Sequence, residues 1–241
     1  VIVSIIIGRK GSKGFPGKNM YMIEGKPLCS YPMSEAKKVS AIDEHFVSTD
    51  DENIKMVAKN IGFDIIDRPL KLCDDKALGE DAYIHAYTQI CATHGKPDIV
   101  VLLMCNAPMI TAETISNGID ILKNDQKIDS AVTVSRYNMW SPLRARRVGD
   151  DGLLHPFVDF EYFGDPKSLN CDRDSQGDVW FADMGVSVVR GKNLENLQSG
   201  LLPQKWMGQN IFPLKQDAGL DVDYAWQMPQ VEWWIKNGHN G

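Results

Sequence analysis

The chain alternates short apolar runs with stretches of helical period. Residues 1–7 (VIVSIII) form a β-branched run with one polar member, Ser4, and read as a buried parallel strand. A glycine-rich stretch follows, from Gly8 to Gly17. Residues 27–39 read as a helix with Leu28, Tyr31 and Met33 apolar, and residues 44–49 as a strand. Residues 51–61 place Ile54, Val57, Ala58 and Ile61 on one helical face, with Gly62 as the stop. Residues 63–66 predict a strand, 81–94 a helix, and 98–104 a fully apolar strand. Residues 111–124 predict a helix with Thr111 as N-cap, and 130–135 another strand. Strands alternating with helices predict an α/β fold on a mostly parallel sheet, with ligands beyond the carboxyl ends of the strands.

The alternation stops at Arg136. Residues 136–180 are rich in aromatics, Arg, Asp and Pro and show no clean helical period, so they read as a β-rich insertion or arm. Residues 184–190 (MGVSVVR) look like a strand returning to the main sheet. Residues 220–223 (LDVD) read as a short strand between acids, and 224–236 as the last helix.

Composition narrows the class. At 241 residues, 43 % hydrophobic and 24 % charged, the chain fits one generous globular domain, 1–241. A chain of this length buries roughly 70–75 % of its unfolded surface, so it needs no disulfide or structural metal to fold. The longest apolar run is far short of the roughly 20 residues that span a bilayer, so no membrane association is expected. No basic segment precedes that run and no small-residue cleavage site follows, so no signal peptide is expected. Five cysteines, with no C-x-x-C pair, argue against a disulfide framework or zinc ribbon and for a cytoplasmic setting.

The net charge of −6 is unevenly spread. Residues 1–40 carry seven Lys/Arg against two Glu, and the remainder is acidic. An acidic body is a poor nucleic-acid binder, whereas a compact basic island suits a small anion. That island is Gly8-Arg9-Lys10-Gly11-Ser12-Lys13-Gly14-Phe15-Pro16-Gly17-Lys18-Asn19. Glycines let backbone N–H groups approach an anion, and the interleaved cations neutralise it, which is what a polyphosphate needs. Five residues separate Gly11 from Gly17, and Asn19 follows Lys18, so this is no Walker A loop; nor is it G-x-G-x-x-G, which a dinucleotide dehydrogenase would need.

Two weaker features accompany the loop. On a strand, Asp221 and Asp223 would share a face and meet one cation, as Mg²⁺ with substrate phosphates requires; an acidic strand end is the plainer alternative. Arg68, after the 63–66 strand, could meet a phosphate or base edge, or make a surface ion pair. The five histidines show no ligand spacing, and no G-x-S-x-G is present.

The motifs together resemble the acylneuraminate cytidylyltransferases, or CMP-sialic acid synthetases, whose first strand leads into A-R-G-G-S-K-G-x-P-x-K-N. Further likeness lies in Val47-Ser48-Thr49-Asp50, in Arg68-Pro69 with Leu72 and Asp75, in Leu102-Leu103 with Pro108, and in Asp221-Val222-Asp223. The resemblance spans nearly the whole chain. It implies a three-layer, Rossmann-like nucleotidyltransferase fold with a β-rich arm at 136–180 serving dimerisation and acceptor binding. It implies a transferase that moves CMP from CTP to an anionic acceptor, a sialic-acid-like nonulosonic acid, and releases pyrophosphate. A Kdo-type sugar or a smaller anion such as a phosphonate is the alternative acceptor, and a non-catalytic nucleotide binder is the alternative class.

The resemblance also implies roles. Gly8, Arg9, Gly11, Ser12, Lys13 and Lys18 would hold the triphosphate of CTP, with Lys18 near the α-phosphate. Asn19, Arg68 and Asn106 would face the nucleotide. Asp221 and Asp223 would hold Mg²⁺; Lys18, Arg9 and Asp223 would be catalytic. Arg144 and Arg173 would face the acceptor, with Arg173 approaching a partner's site in a homodimer. The chain departs from the family pattern at Lys10, at Met104-Cys105-Asn106-Ala107 in place of Q-P-T-S, and at Phe181, Asp183 and Met184, which by the resemblance change the acceptor wall.

Overall fold

A computed structural model describes residues 1–74, 76–170, 172 and 177–238. In chain order the regular elements are β1 (Ile2–Ile7), β2 (Met22–Ile23), β3 (Lys26–Pro27), α1 (Ser30–Lys37), β4 (Glu44–Thr49), α2 (Glu52–Ile61) and β5 (Asp64–Asp67). Then come α3 (Gly79–His94), β6 (Ile99–Met104), α4 (Ala112–Asn124), β7 (Ser130–Arg136), β8 (Arg146–Val148) and β9 (Leu154–Pro156). The chain closes with β10 (Trp180–Arg190), α5 (Gly191–Glu195), β11 (Ile211–Gln216) and α6 (Met228–Asn237).

Seven strands form one sheet in the order β11-β7-β10-β6-β1-β4-β5. Only β10 runs antiparallel to its neighbours, so the expected mostly parallel sheet is present. Every residue of β1 is buried because the sheet is covered on both faces. Ile2 and Ile6 face a core built with α1, α2 and α4 through Met33, Ile54 and Ile119. Val3, Ile5 and Ile7 face a second core with α3 through Tyr83, Ala86 and Ile90. These are the three layers.

The helix signals read from sequence are in place. Asp51 caps α2 by accepting from Asn53 N at 2.8 Å, and Gly62 stops it at φ 91°. Thr111 caps α4, accepting from Thr114 N at 3.0 Å. Residues 184–190 are the return strand, which starts earlier, at Trp180.

One expectation changes. Residues 220–223 belong to no strand; the sheet's last strand is the earlier β11, carrying Pro213 on an edge, where a missing N–H is tolerated. Asp221 and Asp223 therefore do not share a strand face. Among its described residues, the 136–180 segment holds one two-stranded ribbon, β8 with β9, and three 3₁₀ turns at Asn138–Trp140, Pro142–Arg144 and Phe160–Phe163. No helix among the described residues is long and apolar enough to cross a membrane.

A third, smaller core decides where the site forms. Val222 is fully buried against Ile23, Leu28, Met109, Met228 and Val231, and Phe15 packs on the same cluster. Burying these side chains draws the glycine loop and residues 220–223 together above the carboxyl ends of β1 and β6.

Candidate active site

A cavity of about 370 Å³ opens where β1 gives way to the glycine loop. Gly8, Arg9, Ser12, Lys13, Lys18, Asn19, Arg68, Asn106 and Asp223 all line it. Nine of the residues singled out from sequence thus meet at one place, although they span more than two hundred positions. Gly11 is absent from that lining, and a Cβ there would meet nothing within 4 Å.

The loop is tied down at several points. Lys10 N donates to Asp50 Oδ1 at 2.9 Å, beyond the end of β4. Arg9 Nη1 donates to the Cys73 carbonyl at 3.1 Å. A Cβ on Gly8 would stand 2.6 Å from Cys105 Sγ. At Gly14 it would stand 2.5 Å from the Asp223 carbonyl oxygen and 3.2 Å from the Tyr224 ring. These two glycines are needed for close packing within the protein itself.

Lys18 is 9 % exposed. Its ammonium donates to the Val222 carbonyl at 2.5 Å and to Asp223 Oδ1 at 2.7 Å. Asn106 clamps the same residue from both sides: Nδ2 donates to the Val222 carbonyl at 3.0 Å, and Val222 N donates to the Asn106 carbonyl at 2.8 Å. The Gln227 side-chain oxygen accepts from Asp223 N at 2.7 Å and from Tyr224 N at 2.8 Å. A segment outside the sheet is thereby held by polar contacts on both flanks. Asn19 Nδ2 donates to the Arg9 carbonyl at 3.3 Å, while its Oδ1 is buried with no partner among the described residues.

Arg68 resolves the choice left open by its sequence context. Asp67 makes the surface ion pair, with Lys55 at 2.6 Å. Arg68 turns inward, 8 % exposed, and donates to Ser48 through Nη2 to the carbonyl at 2.6 Å and through Nε to Oγ at 3.3 Å. Burial lowers its guanidinium from the usual value.

A second cavity, of about 570 Å³, lies on the other side of residues 221–223. Asp221 lines this one and Asp223 the first. Its walls are Tyr137, Trp140, Phe181 and Trp226, with Arg136 and Asp183 also on the lining. Sequence reasoning missed Arg136, Tyr137, Trp140 and Trp226 as site residues; for Tyr137 and Trp140 the signal was the aromatic richness of the segment after β7, and for Trp226 there was none. Arg144 sits on an exposed turn and lines neither cavity. Arg173 lies outside the described residues.

Burial first, and the charge of Asp223 second, push the Asp221 carboxyl up from its usual range. A carboxylate whose ionisation is made costlier by a neighbouring carboxylate suits a divalent cation. Among the described residues no group of three His, Cys, Asp or Glu side chains is placed to hold a metal. A cation here would complete its shell with ligand oxygens, as Mg²⁺ does beside phosphates.

A cationic glycine loop at the carboxyl end of a parallel sheet, facing Asp223 across one cavity, is an arrangement that suits the phosphates of a nucleotide. The comparisons give the family: residues 3–150 match the model described as cytidylyltransferase, and the chain belongs to that family. It is 31 % identical over 229 residues to CMP-N,N'-diacetyllegionaminic acid synthase of Legionella pneumophila, covering 93 % of each chain. It is 29 % identical over 161 residues to N-acylneuraminate cytidylyltransferase of Escherichia coli, a match covering 67 % of this chain but only 37 % of that enzyme's length. A CMP:2-keto-3-deoxy-manno-octonic acid synthetase solved in complex with CTP has the same fold, with a TM-score of 0.69 at 19 % identity over 98 % of both chains.

Proposed function

We propose that this chain transfers CMP from CTP to an acid sugar of the nonulosonic or octulosonic type and releases pyrophosphate. The observation that carries the reading is the pair of cavities meeting at Asp221-Val222-Asp223, one lined by the cationic loop and the other by aromatics. The named activities of the relatives support it.

Arg9, Ser12, Lys13 and Lys18 hold the triphosphate, beside Gly8 on the same lining. Asn19, Asn106 and Arg68 shape the nucleotide side. The acceptor lies in the second cavity, with Arg173 answering its acid group. Its hydroxyl attacks the α-phosphorus in line, the new oxygen–phosphorus bond forms, and the bond to pyrophosphate breaks. Positioning and charge stabilisation supply the rate. Lys18 and Arg9 stabilise charge on the α-phosphate and the leaving group. Asp221 and Asp223 would hold Mg²⁺, which, when bound, offsets phosphate charge and acidifies a coordinated hydroxyl.

The working form is a homodimer. Met139, Trp140, Val148, Leu154, Phe157 and Tyr162 are all exposed along the 136–180 segment, which supports its use as the interface.

Pyrophosphate release measured with CTP, ATP, GTP and UTP against a panel of acid sugars and phosphonates tests the reading. CTP with an acid sugar should turn over at least tenfold faster than any other pair. Comparable rates with ATP, or turnover confined to phosphonates, would refute it.

A further inference from the structure

Asp183 lines the second cavity and is 6 % exposed. Its Oδ1 accepts from Thr133 Oγ1 at 2.6 Å and from Gly185 N at 3.0 Å. Its Oδ2 accepts from Ser135 Oγ at 2.6 Å and from Gln216 Nε2 at 2.7 Å. Thr133 Oγ1 in turn accepts from Val186 N at 2.9 Å, which directs its own proton to Asp183. Four donors fill the lone-pair sites of the two oxygens, the pattern of an ionised carboxylate. Next to it Met184 takes φ 60°, a costly conformation for a side chain without a polar tip, where the β10–β7 register is broken.

Hydrogen bonds satisfy these oxygens but bring no opposite charge, and buried charges are as a rule paired. The described ion pairs around the site are Lys18 with Asp223 and Arg136 with Asp178; neither includes Asp183. Asp221 adds a second carboxylate to the same lining. Without a cation at Asp221, the cavity's described lining carries more negative than positive charge; with one, Asp183 is the carboxylate on that lining that keeps its charge without an ionic partner among the described residues. Its walls are aromatic: Tyr137 stacks on Trp140 at 5.2 Å, and Phe181 meets Trp140 edge-on at 6.3 Å. Aromatic faces attract cations, most strongly when water is excluded. The lone pairs of Asp183 are taken, so it would act on a ligand through its charge and not through a direct hydrogen bond; aromatic walls beside that charge suit an ammonium group.

We propose that Asp183 determines acceptor specificity and that the acceptor is an acid sugar carrying a protonated amine. This rests on the cytidylyl-transfer reading. An Asp183 with only a structural part would tie β7 to β10 and β11 and leave acceptor choice unchanged.

The test uses matched pairs of nonulosonic and octulosonic acids that differ only in a free amine against its N-acetyl form. Pyrophosphate release with CTP and Mg²⁺ is followed for the wild type and for Asp183→Asn. The variant keeps the size, and the Ser135 hydroxyl and Gln216 amide can reverse to accept from the new NH₂, so the fold survives. The wild type should prefer the amine by at least tenfold in kcat/KM, chiefly through KM. Asp183→Asn should shrink that preference to within about twofold, with KM for CTP unchanged. Equal use of both partners by the wild type, preference for the N-acetyl form, or a preference that persists in Asp183→Asn overturns the proposal. If no acid sugar releases pyrophosphate, the cytidylyl-transfer reading fails by itself. Quenching of tryptophan fluorescence by the same sugar pairs without CTP then decides on Asp183: tighter binding of the amine by the wild type upholds it, and equal binding overturns it.

Discussion

Lys18 and Asp223 form an ion pair of 2.7 Å, with the lysine nearly buried and the carboxylate more than half exposed. A triphosphate and a divalent cation each offer one of them a stronger partner. Asp223→Asn keeps shape and removes the charge that a cation needs. Steady-state pyrophosphate release should fall by at least 10²-fold, about 2.7 kcal/mol in barrier, while a thermal melt stays close to wild type. Near-normal turnover at low Mg²⁺ would reduce the pair to an acidic loop. Asp221 behaves differently because it is more buried. Its raised carboxyl binds a proton more tightly in the folded state than in the unfolded one. Stability is then fully present below the unfolded value of about 3.9 and declines as pH rises through the raised folded value. Asp221→Asn should melt higher than wild type at about pH 7, and the gain should vanish near pH 4. Melts at both pH values check this; a gain independent of pH would place its cause elsewhere. The loop cations were legible from sequence because an anion site needs charge and glycine in one contiguous run. Asp183 was marked only as a departure from the family pattern, and Arg136 not at all, because each reaches its cavity through strand pairing between distant segments.

At the level of elements, the glycine loop and residues 220–224 act as one unit. Gly14 lies so close to the Asp223 carbonyl that any Cβ must displace it. A shift of that order at a reacting centre costs about 10² in rate. Gly14→Ala should therefore lower kcat/KM at least tenfold and leave the melting temperature within a few degrees. Unchanged kinetics would show that the carboxylate segment can yield without cost. Helices α2 and α4 were readable to within a residue, because caps and apolar period are local properties. Strand β11 was not: IFPLKQ has neither an apolar run nor clean alternation, and Pro213 reads as a breaker until the strand is known to lie on an edge. The acidic segment failed in the opposite sense. Its alternation looks like a strand, but its backbone bonds go to Asn106 and Gln227 in place of a ladder.

For the whole molecule, exposed apolar side chains concentrate between residues 139 and 162, including Tyr162 at 82 % exposed and Leu154 at 70 %. Large exposed apolar patches mark association surfaces. Sedimentation at micromolar concentration should give a species of twice the 27.0 kDa chain mass, and Phe157→Asp with Leu154→Asp should shift it to the monomer. A wild type that sediments at the monomer mass would remove the dimer.

The sequence by itself determined the α/β class, most element positions, the cationic glycine loop and the family, because these depend on local period, on turn chemistry and on contiguous motifs. Tertiary structure alone decided that Lys18 is paired with Asp223 and that Asp221 and Asp223 serve different cavities. It also decided that Asp183 lines an aromatic chamber. The reason is burial: Val222 and Phe15 enter a common apolar cluster, and that packing, not any spacing along the chain, sets which polar groups meet.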